Sequence, residues 1–181
     1  MSGSEFRLQF PPEKIPEYAK KYDFGADEAA LEAGRKISNG DYSLANLKAI
    51  YEWKTAGRGR GRITANGKAE ISEILKIAAS AKSERAAISV LCGLRGVAVP
   101  IASAILTAIN LERYTIIDFR ALEALGTDST NRSVDYYLRY LAACRKLAKE
   151  HRTTLRELDR ALWQWSKEKA GLMRKHKKSI K

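Results

Sequence analysis

A glycine turn between two helix-like segments is the first feature of this chain that could do chemistry. The turn reads LRGV from Leu94 to Val97, and its Gly96 permits the positive φ of a tight reversal. The amides of such a turn and the N-terminus of the next helix together point N–H groups towards a bound anion. A DNA phosphate is an anion that suits this kind of site. Such a contact holds DNA without reading its bases. The alternative is a plain connection between helices, which is the more common role of a glycine at this position.

Asp118 is the second candidate for chemistry. It ends a short apolar run, TIID, and precedes a segment in which Phe119, Leu122 and Leu125 have helical apolar spacing. An aspartate at this position is typical of a helix N-cap, and the positive end of the helix dipole keeps its carboxylate ionised. The residue type alone therefore allows two roles, a cap or an ionised group that acts on a substrate.

Helical periodicity covers almost the whole chain, so helices have to position both candidates. Asp27 and Ser43 are predicted N-caps, and Thr154 with Glu157 matches a capping box. Only YTII, at 114–117, is strand-like. We therefore predict an all-α fold, with helices over about 27–38, 43–55, 68–80, 83–92, 98–110, 119–125, 133–150 and from 154 onward.

The length and net charge of the chain limit the number of domains and the kinds of partner that we expect. The 181 residues suffice for one domain, predicted over 1–166, followed by a basic tail at 167–181 that we expect to fray. Thirty-three Lys and Arg residues against 21 Asp and Glu give a formal charge of +12, which predicts a polyanionic partner such as nucleic acid. The longest uncharged run, 96–111, is too short to span a bilayer and is predicted to be a buried core helix.

Neither a disulfide framework nor a metal site is predicted. Cys92 and Cys144 lie among apolar residues and are expected to be buried thiols of a reducing compartment. Two cysteines cannot supply the four thiolates of an iron–sulfur cluster, and His151 and His176 have no matching ligand cluster. The chain begins without a basic start and apolar block, so we expect a soluble, cytoplasmic protein.

The stretch from about Ser83 to Leu125 resembles the signature of the helix-hairpin-helix DNA glycosylases. Three parts carry the resemblance: LRGVA as the hairpin, a small-residue helix that contains Ala102 and Ser103, and an apolar run that ends at Asp118. The resemblance implies a compact helical domain with a helix-hairpin-helix motif, in which Asp118 is the catalytic carboxylate. Such a carboxylate stabilises the oxocarbenium-like sugar and orients or deprotonates the attacking water.

The same resemblance implies the partners of the hairpin. Its residues Arg95, Gly96, Val97 and Ala98 would contact the phosphodiester backbone of double-stranded DNA, and a monovalent cation could sit at the hairpin as the sole cofactor. The implied protein is a monomer associated with the nucleoid and not with a membrane. Ala98 replaces the second hairpin glycine of the family, which weakens the phosphate-binding interpretation because alanine adopts fewer backbone conformations.

Pro100 stands where the bifunctional members of the family carry a lysine. That lysine attacks the sugar as an amine and leads to strand cleavage through a Schiff base. Proline has no such amine, so the resemblance implies a monofunctional enzyme that uses water and leaves an abasic site.

An aromatic and arginine-rich stretch in the front half is a candidate for the DNA surface and base pocket. Trp53 and Tyr51 could stack on an extruded base, and four basic residues could hold a distorted backbone. The alternative is that the aromatic residues belong to the core, which we favour for Tyr51, and that RGRGR at 58–62 is a solvated loop. The four basic residues are Lys54, Arg58, Arg60 and Arg62.

Three functional hypotheses follow. The first is a monofunctional DNA glycosylase, which removes a damaged or modified base in base-excision repair or in defence against phage with modified DNA. The second is a helix-hairpin-helix DNA-binding protein without enzymatic activity, which Ala98 and Pro100 keep open. The third, a basic protein of the membrane surface, has only the net charge in its favour. The identity of the excised base does not follow from the sequence.

Overall fold

The computed structural model of the chain describes residues 5–127 and 130–179. Within these ranges it contains ten α-helices, two short 3-10 helices at Pro12–Lys14 and Phe24–Asp27, and no strand, which confirms the predicted all-α fold. The α-helices are α1 (Ile15–Lys21), α2 (Glu28–Ser38), α3 (Leu44–Thr55), α4 (Arg60–Ile63), α5 (Lys68–Ser80), α6 (Glu84–Leu91), α7 (Val99–Ile109), α8 (Phe119–Ala124), α9 (Val134–Glu150) and α10 (Leu155–Ser179).

The chain divides into two compact units. The first consists of residues 23–117 and 131–142, and so contains α2 to α7 and the beginning of α9. The second contains the described residues of 1–22, 118–130 and 143–181, with α1, α8, α10 and the end of α9. The single domain predicted over 1–166 stays a prediction.

The uncharged helix α7 lies at the centre of the first unit. Its residues 102–108 are all buried, which confirms the predicted core helix. Helix α2 packs against α3 and α7, and Gly34 of α2 faces the backbone of α7 at Ala108. A Cβ atom at position 34 would lie 2.0 Å from the carbonyl oxygen of Ala108, so only glycine allows this close crossing of the two helices.

The predicted strand at 114–117 is not a strand, although its four residues are buried. Two tyrosines of α9 provide hydrogen-bond donors for backbone carbonyls of the segment. Tyr137 Oη donates to the carbonyl of Thr115 at 3.2 Å, and Tyr140 Oη donates to the carbonyl of Ile116 at 2.7 Å. Side-chain donors therefore replace the neighbouring strand that buried carbonyls would otherwise require.

The second unit is built on α10, which packs against α1 and α8. The N-terminal segment is fixed to the end of α8, where the Arg7 amide donates to the carbonyl of Leu125 at 2.8 Å. The predicted capping box opens α10, because the Thr154 amide donates to Glu157 and the Glu157 amide donates to the Thr154 hydroxyl. Helix α10 continues to Ser179. The expectation of a frayed basic tail at 167–181 stays a prediction, and its last two residues lie outside the described part of the chain.

Asp27 and Ser43 occupy the N-cap positions of α2 and α3, as predicted, but neither side chain makes a capping hydrogen bond. The Asp27 side chain makes no capping hydrogen bond at α2 and instead accepts a hydrogen bond from the Trp53 indole N–H at 3.1 Å. Ser43 stands at the N-cap of α3 without a side-chain bond, while Asp41 accepts from the Ser43 amide. The helix bounds are close to the predicted ones, because apolar periodicity rather than these caps determines where α2 and α3 form.

In the described part of the chain, no helix combines the length and apolar character needed to cross a membrane. Cys144 is buried, as predicted, whereas Cys92 is only half-buried, and both thiols are free.

Removing the Tyr140 hydroxyl tests whether hydrogen bonds from side chains stabilise the backbone of residues 114–117. We expect Tyr140→Phe to lower the free energy of unfolding by about 1–3 kcal/mol, because the buried Ile116 carbonyl loses its donor. Urea unfolding followed by circular dichroism measures the change, with the partly exposed Tyr42→Phe as control. Equal unfolding midpoints for the two variants would contradict this account of the segment.

Candidate nucleic-acid interface

The predicted glycine turn is present between α6 and α7, which pack against each other. Gly96 has a φ of +85°, so the left-handed conformation expected of this residue is confirmed. The turn is closed by a hydrogen bond from the Val97 amide to the Leu94 carbonyl at 3.1 Å. Ala98 is extended and forms the N-cap of α7, and Pro100 lies in its first turn.

Asn66, which the sequence analysis did not single out as a site residue, braces this turn from the α4–α5 connection. Its Oδ1 accepts from the Arg95 amide at 2.8 Å, and its Nδ2 donates to the carbonyls of Arg95 at 3.1 Å and Ile63 at 3.0 Å. The side chain is buried, so these bonds are protected from water. An Asn-Gly pair in sequence indicates only a turn, which is why this long-range contact could not be predicted.

The hairpin residues differ in what they offer an anion. Among the described residues, the amides of Gly96 and Ala98 have no acceptor, whereas those of Arg95 and Val97 are used by Asn66 and Leu94. The Val97 side chain is buried, and Arg95 is exposed. The turn therefore presents two backbone donors and one guanidinium, while Val97 serves the core.

The arginine-rich stretch predicted as a loop at 58–62 is a turn at its first two residues and helical from Arg60. Gly57 and Gly59 have positive φ values of 76° and 72°, and the chain then forms the short helix α4, whose Ile63 is fully buried. The buried isoleucine explains the difference, because it gives a glycine- and arginine-rich segment an apolar contact that fixes its backbone.

Helix α4 lies directly against the hairpin. A Cβ atom on Gly96 would be 2.8 Å from Cβ of Arg62, so glycine is required here by close approach as well as by φ. Arg62 thus lies beside Gly96 and Arg95, although 32 or more residues separate it from them in the sequence. Arg62 is exposed and, within the described residues, has no carboxylate partner.

The other three basic residues predicted to contact DNA in this region either bind other groups of the protein or are half-buried. The Arg60 guanidinium forms an ion pair with Glu52 at 2.6 Å, and Arg58 Nε donates to the Thr55 carbonyl at 3.0 Å. Lys54 is half-buried. Arg62 and Arg95 are therefore the side chains of this surface best able to exchange solvent for a ligand anion.

The two aromatic candidates are held by the protein itself. Tyr51 is 2% exposed, and its hydroxyl donates to the Gly59 carbonyl at 3.1 Å, which agrees with the core interpretation. Trp53 is half-buried with its indole N–H bonded to Asp27. Tyr51 thereby supports the turn that leads into α4, and the predicted role of Trp53 at a base stays a prediction.

The two stretches of sequence that contain α4 and the hairpin carry charged residues of positive sign only. No acidic residue occurs between Glu52 and Glu70, and from Ala86 to Leu111 the only charged residue is Arg95. Five basic residues occupy the first of these stretches, namely Lys54, Arg58, Arg60, Arg62 and Lys68. A surface of this kind attracts a polyanion.

Asp118 is the N-cap of α8, as its position predicted. Its Oδ1 accepts from the Ala121 amide at 3.0 Å, and the residue is half-buried. The residue before it, Ile117, is fully buried, and its amide donates to the Ser103 hydroxyl of α7 at 3.1 Å. Asp118 belongs to the second unit and the hairpin to the first.

Phe119 departs from the predicted apolar face of α8. Leu122 and Leu125 are buried, but Phe119 is 65% exposed. The Arg120 guanidinium lies over its ring, 5.0 Å from the centroid. Helical spacing predicts which residues share a face, but it cannot show that the first turn of a six-residue helix extends beyond the core.

No group of His, Cys, Asp and Glu side chains suited to a metal ion occurs in the part of the chain that the structure describes. Burial raises the pKa of the Cys92 thiol, which disfavours the nucleophilic thiolate near the hairpin. No protein-family model, curated protein or solved structure matches the chain.

Asn66 provides a test of the brace. We expect Asn66→Ala to lower the free energy of unfolding by about 1–3 kcal/mol, because the Arg95 amide and the buried Ile63 carbonyl each lose a partner. Asn66→Asp should destabilise as well, since a carboxylate cannot donate to the two carbonyls. Chemical denaturation measures both, with the exposed Asn39→Ala as control. A wild-type unfolding midpoint for both Asn66 variants would refute the brace.

Proposed function

We propose that the chain is a monofunctional DNA glycosylase, which extrudes a damaged or modified base and hydrolyses its bond to deoxyribose. The observation that carries the proposal is the hairpin, where the left-handed Gly96 turn offers two backbone donors beside Arg62 and Arg95. The resemblance of residues 83–125 to helix-hairpin-helix DNA glycosylases supports the enzymatic part.

In this proposal the hairpin holds one DNA phosphate. The amides of Gly96 and Ala98 donate to its oxygens, and the guanidinium groups of Arg62 and Arg95 neutralise its charge. These contacts are independent of sequence, so they anchor the duplex without selecting a base. The phosphate is released with rising salt, because its binding displaces counterions from DNA.

Asp118 supplies the carboxylate in the proposed reaction. As the bond from the base to C1′ of the sugar breaks, positive charge develops on the sugar ring, and the carboxylate stabilises that charge. A water oxygen then bonds to C1′, its proton passes to Asp118 or solvent, and the base departs with the bonding electron pair and takes up a proton. Pro100 has no amine to form a Schiff base, so the product is an abasic site.

A DNA-binding protein without catalytic activity is the second candidate. It is favoured by the hydrogen bond between Asp118 and the Ala121 amide, which gives the carboxylate a structural role that requires no chemistry. Ala98 and Pro100, which differ from the family pattern, are consistent with it. The two candidates share the hairpin and differ only in whether a base is released.

The arginines test the hairpin surface. We expect Arg62→Ala and Arg95→Ala each to weaken binding of duplex DNA for all sequences, and to reduce the slope of log K against log salt by about 0.9. Fluorescence anisotropy over a salt series gives these slopes. Arg60→Ala, in the same helix but paired with Glu52, is the matched control and should change the slope less. Unchanged slopes for both hairpin variants would remove the hairpin from the interface.

Asp118→Asn separates the two candidate functions. Asparagine is an equally good N-cap, so α8 and DNA binding should persist while base release falls at least about a hundredfold. Duplexes with oxidised, alkylated, deaminated or hypermodified bases are incubated with each protein, and released bases are measured by mass spectrometry. If the wild-type protein binds these duplexes and releases no base from any of them, the protein is the non-enzymatic binder.

A further inference from the structure

Phe119 is the most exposed of the three large apolar side chains that stand out on the described surface. Its exposed fraction is 65%, against 49% for Phe24 and 44% for Ile77. It is also the residue next to Asp118, at the first position of α8. The core of the second unit gains little from a ring in this position, because most of the ring area remains in water.

The ring is nevertheless supported on one side. The Arg120 guanidinium lies 5.0 Å from the Phe119 centroid and 5.2 Å from the Trp163 ring, so it is in contact with both aromatic side chains. Arg120 Nη1 also donates to the Ser166 hydroxyl at 3.4 Å, and Ser166 in turn donates to Glu123 at 2.5 Å. These contacts fix the guanidinium, and the guanidinium restricts the phenyl ring.

We propose that Phe119 stacks on the extruded base of the nucleotide whose sugar Asp118 addresses. The inference rests on the proposed function, and it adds the residue that contacts the base. An exposed aromatic ring, restrained before binding, offers a stacking face at small cost in conformational entropy. Stacking suits any base, since every base has a π face, so Phe119 holds the base while other contacts select it.

The position of Phe119 in the chain favours the extruded base over the gap that extrusion leaves in the duplex. Asp118 and Phe119 are the N-cap and the first residue of α8, so both stand at the N-terminal end of that helix. When a carboxylate acts at C1′ of a nucleotide, the part of the DNA nearest to it with an aromatic ring is the base attached to that same C1′. The gap in the duplex lies farther away, because extrusion turns the nucleotide out of the stack by about 180°.

The test measures how much the unpaired base contributes to DNA binding, and it does not require that the protein excises the base. One duplex carries a single bulged nucleotide, which is already unpaired and costs little to extrude, and a second carries a baseless tetrahydrofuran bulge. We expect wild-type protein to bind the first about ten- to a hundredfold more tightly. Phe119→Ala should abolish this difference, Phe119→Trp should retain it, and the control Ile77→Ala on α5 should leave it unchanged. Fluorescence anisotropy measures all four, and circular dichroism checks their folding.

The outcomes separate this inference from the proposed function. If Phe119→Ala keeps the full preference for the base, or if wild-type protein has none, Phe119 does not stack on the base, whether or not base release is observed. If the preference is lost in Phe119→Ala and the wild-type protein releases no base, the stacking role stands and the glycosylase proposal fails. Loss of the preference in Ile77→Ala as well would show a general effect of apolar surface and overturn the inference.

Discussion

The hairpin surface depends on the absence of a side chain at position 96. Two independent requirements exclude a side chain there. The backbone has a left-handed φ of +85°, and a Cβ atom on residue 96 would lie only 2.8 Å from the Cβ atom of Arg62. Asn66 adds a third constraint, because it binds both the amide and the carbonyl of Arg95. The turn is consequently held by its neighbours rather than by its own hydrogen bonds alone, and its unused amides stay oriented without a ligand.

A second constraint concerns the backbone that leads to Asp118. Residues 114–117 pass through the protein interior without a partner strand, so each buried polar group needs a donor or acceptor from elsewhere. Tyr137 and Tyr140 donate to two carbonyls, and the Ser103 hydroxyl accepts from the amide of Ile117. The position at which the chain reaches Asp118 is thereby determined by side-chain hydrogen bonds, with a precision that a loop of free backbone would lack.

Local signals in the sequence predicted the helices, the core role of α7, the positive φ of Gly96 and the position of Asp118 at the start of a helix, because each depends on spacing or residue type within a few positions. Long-range contacts could not be predicted. Asn66 reaches Arg95 across 29 residues, and the Asp27 carboxylate accepts a hydrogen bond from Trp53, 26 residues away, and makes no capping bond at α2. The strand expected at 114–117 was wrong for the same reason, since a tyrosine 24 residues away satisfies the backbone.

The charge of Asp118 distinguishes its two roles. Serine, threonine or asparagine caps a helix about as well as aspartate, and the helix dipole adds only about 0.3–1 kcal/mol for a negative side chain. In the proposed complex with DNA, the negative charge of Asp118 would repel phosphates, which a neutral cap would not do. A reaction with a cationic sugar requires the charge. In the glycosylase proposal the charge of Asp118 serves the cationic sugar, whereas capping is met by aspartate and by a small neutral residue alike.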